Sequence, residues 1–209
     1  MTDNKAVKEY ISFDGGYSTK AQYQQPDRYR MLVDADAGGY ARIARGGGYS
    51  YAAASFGAEG VTQEMASFNR VIRFVPQERL IEVEAGITLG DLIGITTPQG
   101  VWLPVVPGYP GITVGGCIAA NVHGKNPARN GAFINFVEEI VLFHPANGVT
   151  RVSRSADPHV FELTCGGYGL TGVILSATLR LETLPGSQLS RQRTTVGSLV
   201  EAARVLREL

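Results

Sequence analysis

Residues 40–51 read Tyr40-Ala41-Arg42-Ile43-Ala44-Arg45-Gly46-Gly47-Gly48-Tyr49-Ser50-Tyr51. Tyr40 to Ala44 has the texture of a short buried strand, and it runs directly into three glycines and a hydroxyl residue. Consecutive amides free of Cβ crowding can converge on an anion as a nest. Arg45 adds a positive charge, and Ser50 and Tyr51 add donors, so the stretch suits a pyrophosphate. The spacing is neither GxGxxG nor GxxxxGK[ST], which excludes a Rossmann dinucleotide turn and a nucleoside-triphosphate P-loop. Read by itself, a glycine triplet is more often a surface turn.

Working outward, glycine is in excess, 26 of 209 residues, against a usual share of about 7%. The excess is grouped: Gly46 to Gly48, then Gly108, Gly111, Gly115 and Gly116, then Gly166, Gly167, Gly169 and Gly172. Grouping of this kind points to close backbone approach more than to a linker. Apolar residues at 44% against 18% charged are enough for a folded core. Lys plus Arg and Asp plus Glu both number 19, so no basic surplus exists to neutralise a nucleic-acid backbone. The opening residues MTDNKAVKEY lack an apolar signal core. We therefore expect a cytoplasmic protein with Cys117 and Cys165 as thiols rather than a disulfide. No apolar run reaches the ~18 residues of a membrane span.

The pattern predicts little structure in residues 1–25 beyond a turn at Gly15-Gly16. A helix is expected within Pro26–Ala37, ended by Gly38-Gly39. Strands follow at Val71–Val75 and Leu80–Glu84, joined by the turn 76–79, with Glu82 and Glu84 on a wet face. Thr88 caps a helix through Asp91, Leu92 and Ile95, and Val101–Val105 is a strand. Phe136–Phe143 and Val149–Val152 form a hairpin on Asn147-Gly148. Leu170–Leu181 is one long apolar strand or a strand pair. Pro185-Gly186-Ser187 marks a boundary, beyond which Val196, Leu199, Val200, Ala203 and Leu206 fit an amphipathic helix.

The run RGGGYSY, followed in order by VEAGITLGDL (83–92), LPVVPGYPGITVGGCIAANVHGKN (103–126) and GGYGLTGVILSATLRL (166–181), resembles the FAD-binding domain of the vanillyl-alcohol oxidase/p-cresol methylhydroxylase family. The HGKN and GLTG runs look most like its decaprenylphosphoryl-ribose oxidase-like branch. The resemblance covers residues 26–185. It implies an α+β, two-subdomain fold: a small parallel sheet plus a larger, mostly antiparallel sheet flanked by helices. The implied organisation is an N-terminal segment (1–25), the FAD-binding domain (26–185), and a linker and helix (186–209) that begin a missing or separate substrate domain.

The resemblance also implies the site. FAD is expected against Arg45, Gly46, Gly47, Gly48, Tyr49, Ser50 and Tyr51, and against Gly108, Thr113, Val114, Gly115 and Gly116. Ala120, His123, Gly124, Gly172 and Ile174 complete the set. Many family members carry a histidine in the first loop that is bonded to the flavin. Tyr49 stands there in this chain, which implies non-covalent FAD. His123 is placed by resemblance at the isoalloxazine and Lys125 near the substrate face, as candidate catalytic groups. A solvated polar loop is the alternative reading of that pair. His144, His159 and the cysteines have no metal-ligand spacing, and no Gly-x-Ser-x-Gly elbow is present.

The implied chemistry is oxidation of an alcohol carbon, of a sugar or sugar-lipid, by hydride transfer to FAD. Because relatives build much of the substrate pocket from a second domain, the alternative is an FAD-binding subunit that needs a separate chain. A third reading, ranked last, is a β-rich carbohydrate or structural domain that uses its glycines for packing.

Overall fold

The computed structural model describes residues 6–33, 41–125, 127–186, 188, 190–191 and 193–208. In chain order the first half contains β1 (Ala6–Ile11), β2 (Ser18–Gln24), α1 (Tyr29–Val33), β3 (Arg42–Arg45), β4 (Val61–Glu64), β5 (Val71–Val75), β6 (Leu80–Glu84) and α2 (Leu89–Thr96). The second half contains β7 (Val101–Trp102), α3 (Val114–Ala119), α4 (Pro127–Asn130), β8 (Val137–His144), β9 (Gly148–Ser153), α5 (Pro158–Thr164), β10 (Val173–Arg180), β11 (Glu182–Thr183) and α6 (Leu199–Glu208).

Two sheets carry the architecture. The smaller has the order β1-β2-β4-β3. Its β2, β4 and β3 are parallel neighbours, and β1 joins β2 antiparallel, so the small sheet is mixed. The larger is antiparallel throughout, in the order β5-β6-β10-β8-β9. Strand β10 lies at its centre, and its sequence VILSATLR is buried along nearly its whole length, as expected of a strand covered on both faces. Between that sheet and α2, α3 and α5 lies the main core, with Ile81, Leu92, Ile118, Phe133, Phe161 and Leu179 fully buried. A second cluster, Leu32, Met65, Phe68, Phe143, Val173 and Leu175, joins the two sheets.

Local chemistry sets the element ends. Thr88 accepts the Asp91 amide at 3.1 Å and caps α2, and Thr113 accepts the Gly116 amide at 3.2 Å and caps α3. Gly148 at φ 69° closes the β8–β9 hairpin. The strands expected at 71–75 and 80–84 and the helix capped by Thr88 are present with those bounds or nearly so. Leu170–Leu181 contains the single long strand β10 rather than a pair. The expected strand at 101–105 pairs only over Val101–Trp102; Leu103 and Val105 are buried as extended chain outside any ladder. Tyr40 and Gly38-Gly39 lie outside the described residues.

Two differences from the sequence reading have physical causes. Residues 6–24 form the β1–β2 hairpin, where little structure was expected. Its strands bury only Tyr10 and Ala21, so no apolar alternation marks them. Glu84 is not on a wet face: its side chain is 1% exposed. It accepts hydrogen bonds from the Tyr29 hydroxyl at 2.7 Å, the Arg70 amide at 2.8 Å and the Arg70 guanidinium at 2.7 Å. Burial by itself would raise its pKa, but the bonds from Arg70 and Tyr29 outweigh that and lower it.

This arrangement ties α1 to β6 and makes a pH-dependent contribution to stability. The folded carboxyl titrates below its ordinary value of 4.5. Its contribution is therefore complete above that value and fades as pH falls through the lower folded one. Glu84→Gln should cost about 1–3 kcal/mol at neutral pH in urea unfolding. The gap to the wild type should narrow below about pH 4; a gap unchanged by acid would show that the carboxylate's charge contributes nothing.

Candidate functional site

The loop leaving β3 turns at once. Gly48 adopts φ 76°, a backbone region in which a Cβ is disfavoured. Each glycine of the triplet also lies where a side chain cannot go. A Cβ on Gly46 would sit 2.1 Å from Thr113 Oγ1, one on Gly47 would sit 2.6 Å from the Gly111 carbonyl, and one on Gly48 would sit 2.3 Å from an Arg45 guanidinium nitrogen. The first and second glycine groups are thus pressed together, with backbone against backbone where Gly47 meets Gly111 and backbone against side chain where Gly46 meets Thr113. Among the described residues, the amides of Gly46, Gly47, Gly48 and Tyr49 donate to no protein acceptor. Four successive N–H groups on the cleft wall are thus left without a protein partner, as an anion nest requires.

The second group behaves differently. Here Gly115 and Gly116 lie in the first turn of α3, and their amides are already used. The Val114 amide donates to the Ile87 carbonyl at 2.9 Å and the Gly115 amide to the Ala85 carbonyl at 2.7 Å; Gly116 donates to the Thr113 cap. Gly115 lets α3 approach this strand end, since a Cβ there would lie 2.9 Å from that of Ala85. These residues contribute shape rather than donors. The third group folds onto the other end of α3, through Gly166 N–H to Ile118 O at 3.0 Å and Tyr168 N–H to Ala119 O at 2.9 Å. Gly172, at φ 138°, lies so close to the Phe143 carbonyl that a Cβ would meet it at 2.5 Å.

All three groups line one cleft of about 820 Å³, within the range of about 300–1,000 Å³ typical of small-molecule and cofactor sites. Of the residues expected from the sequence, Gly46 to Tyr51, Gly108, Thr113, Gly115, Gly116, Ala120, His123, Gly124, Lys125, Gly172 and Ile174 stand on its wall. Arg45 and Val114 do not. Val114 is fully buried in the main core. The Arg45 guanidinium turns back behind the loop, 4.9 Å over the Tyr10 ring and 5.2 Å over the Phe56 ring, and bonds Ser55 Oγ at 2.8 Å. Burial lowers its pKa, while Tyr10 and Glu64 act in the opposite sense. Asn121, at φ 42°, and Tyr168, at φ 49°, also line the cleft. They were not expected from the sequence, and their left-handed backbone gives them no side-chain signature.

At one rim, His123 Nδ1 lies 2.9 Å from the Gly124 carbonyl oxygen. A carbonyl only accepts, so in the neutral ring Nδ1 carries the proton and Nε2 keeps its lone pair. Lys125 extends its ammonium over Gly108, 3.0 Å from where a Cβ would be. Both side chains are exposed. Asn126 lies outside the described residues. Among those residues no group of His, Cys, Asp and Glu gathers with the makings of a metal site. Both cysteines are free and buried, and burial pushes the Cys165 thiol up to about 11 and Cys117 higher still. No described helix is long and apolar enough to cross a membrane.

Residues 30–153 match the family described as the FAD binding domain. The chain is 38% identical over 169 residues to decaprenylphosphoryl-beta-D-ribose oxidase of Mycolicibacterium smegmatis, a match covering 80% of this chain and 36% of that protein. It is 31% identical over 133 residues to probable L-gulonolactone oxidase 1 of Arabidopsis thaliana, covering 60% and 22%. With D-lactate dehydrogenase of Anaerostipes hadrus it shares 27% identity over 136 residues, covering 63% and 29%. The match thus takes in about a third or less of each of these relatives. The residues present fit FAD: a run of unpartnered amides suits its diphosphate, and glycines clear the wall of a cleft long enough to join three separate turns. With its small mixed sheet set against a larger antiparallel one, the chain belongs to the FAD binding domain family of oxidoreductase flavoproteins, and FAD is its cofactor.

Proposed function

We propose that this chain is the flavin-holding part of an oxidoreductase that oxidises an alcohol carbon of a sugar or sugar-lipid, with the FAD bound without a covalent link. The observation that carries the reading is the run of unpartnered amides from Gly46 to Tyr49, set between two other glycine turns on one cleft. On this reading the 46–50 loop takes the diphosphate, and the 107–116 and 166–174 segments give the planar and sugar portions their walls. FAD supplies a two-electron acceptor for the alcohol carbon. Among this chain's own groups, His123 Nε2 is free to accept a proton or a hydrogen bond, and the Lys125 ammonium is placed to stabilise negative charge at the same rim. The non-covalent bond rests on Tyr49, a phenol at the loop position where many relatives have the linking imidazole. The sugar-lipid class rests on the substrate for which the Mycolicibacterium smegmatis relative is named.

A second reading makes the chain an FAD-binding subunit completed by a separate substrate-domain polypeptide. Helix α6 favours it, since Leu199, Val200 and Leu206 are 87%, 82% and 73% exposed. Co-purification of a second chain that covers this helix would decide for it.

Purified chain incubated with FAD should turn yellow, and acid precipitation should leave the colour in the supernatant; colour retained in the pellet would contradict the non-covalent assignment. Gly47→Val places a side chain against the Gly111 carbonyl and should weaken FAD binding at least about tenfold, equivalent to about 1.4 kcal/mol, with an unchanged far-ultraviolet spectrum. Wild-type affinity in that variant would remove the loop from the diphosphate site. Mixed with sugar alcohols, the chain alone should leave its bound FAD oxidised over many minutes, because it presents His123 and Lys125 on an open rim; bleaching at an enzymatic rate would show that no further domain is required.

A further inference from the structure

The β1–β2 hairpin precedes residues 30–153, the stretch matched by the family, yet it is built into the back of the glycine loop. Tyr10, 3% exposed, stacks on Phe56 with ring centroids 5.5 Å apart. Its hydroxyl donates to Glu64 Oε1 at 2.8 Å, which also accepts from Lys8 at 2.6 Å. The Arg45 guanidinium rests on both rings. One of its nitrogens is held by Ser55, and another occupies the place that a side chain at Gly48 would take. At the other end of the loop, the tip of the hairpin makes a second attachment. The Phe13 amide donates to the Ser50 carbonyl at 3.2 Å, and the Phe13 ring meets Tyr49 at 5.7 Å and Tyr51 at 5.5 Å.

We propose that the N-terminal hairpin sets the shape of the diphosphate loop, with Tyr10 and Arg45 as positioning residues at its start and Phe13 at its end. The proposal rests on the reading that the 46–50 loop holds the cofactor's diphosphate. A loop whose amides have no protein partner has no internal hydrogen bonds to fix their directions, so its shape must be set from behind. Gly48 supplies the left-handed turn, and the planar guanidinium fills the volume left by the missing Cβ. Its carbon lies 4.9 Å from the Tyr10 centroid and 5.2 Å from the Phe56 centroid, a contact with aromatic rings that a planar guanidinium makes better than an ammonium. The hairpin supplies one of those rings, and Glu64 orients it. Arg45 therefore acts on the cofactor through the loop without touching it, and its charge lies behind the amides as a fixed positive field.

The test measures FAD dissociation constants and the phosphorus-31 shifts of the bound diphosphate in Arg45→Met, Tyr10→Leu and the double variant, alongside the melting temperature of each without FAD. Each single variant should bind FAD about tenfold more weakly and shift the bound phosphorus resonances, and the double should lose little more than either, as expected for one coupled unit. Tyr10→Phe, which keeps the ring, should recover most of the loss seen in Tyr10→Leu. A merely structural role would lower the melting temperature while the phosphorus shifts of the folded, loaded protein stayed at wild-type values, and that result overturns the proposal. So do strictly additive losses in the double variant. If Arg45→Met does not fold, Phe13→Ala at the exposed tip carries the test, with an expected loss of about threefold; unchanged affinity and shifts would sink the idea. Gly47→Val separates the two levels. If it binds FAD normally, the diphosphate reading itself fails; if it binds weakly while the Arg45 and Tyr10 variants bind normally, only the hairpin's role is lost.

Discussion

The cleft depends on how closely two stretches of backbone approach, the Gly46–Gly48 turn and the Gly111–Gly116 segment. Thr113 Oγ1 lies where a Cβ on Gly46 would be, and the Gly111 carbonyl lies where one on Gly47 would be. The second stretch is itself immobilised. Val114 and Gly115 give their amides to Ile87 and Ala85, and Ala85 gives its own to Leu175 in the central strand of the large sheet. A chain of short contacts therefore runs from the most buried strand through residues 85–87 and the first turn of α3 to the glycine loop. A side chain at Gly47 or Gly115 would meet backbone, the Gly111 carbonyl at 2.6 Å or the Ala85 carbonyl at 3.0 Å, and would force these segments apart.

Packing also divides the labour among the glycine groups, which the residue types alone do not distinguish. At 46–48 the missing side chains leave amides unpartnered; at 115–116 they admit a helix against a strand end, and the amides are used up. The outcome turns on secondary structure. A helix start capped by Thr113 consumes donors, whereas a turn leaving a strand edge keeps them. The amides of Val114 and Gly115 thus serve packing, while Thr113, Gly115 and Gly116 still face the cleft.

Elements defined by apolar period or by a capping residue were legible in the sequence. The 71–84 hairpin, the helix after Thr88 and the Asn147-Gly148 turn each carry a local chemical signal that tertiary contacts did not override. The glycine groups and their shared cleft were legible through motif order. Features decided by a distant partner were not. Glu84 looks like a solvent-facing residue until Tyr29 and Arg70, from elsewhere in the chain, are seen to bond it. The β1–β2 hairpin buries a single large side chain, Tyr10, and is held by ladder bonds and by a small cluster around Phe56 rather than by an alternating apolar face. Arg45 reads as an anion ligand beside three glycines, but the ring of Tyr10, remote in sequence, and that of Phe56 offer it a half-buried site off the cleft wall. Long-range pairing of this kind leaves no local trace.

The placement of the ionisable groups constrains how the chemistry can be shared. Both thiols are buried and hold their protons tightly, which leaves no activated nucleophile on the cleft wall. The polar groups that do reach the cleft, His123 and Lys125, are on an exposed rim where water screens them. Fixed dipoles and charges act strongly on a reacting bond only when solvent is excluded. The glycine turns provide that exclusion along the deep wall, where Ile174, Thr113 and Gly124 are buried, and not at the rim. Binding and chemistry thus make different demands on this cleft. Its deep wall meets the first with glycine turns and a few buried side chains, whereas at the rim His123 and Lys125 stay open to solvent.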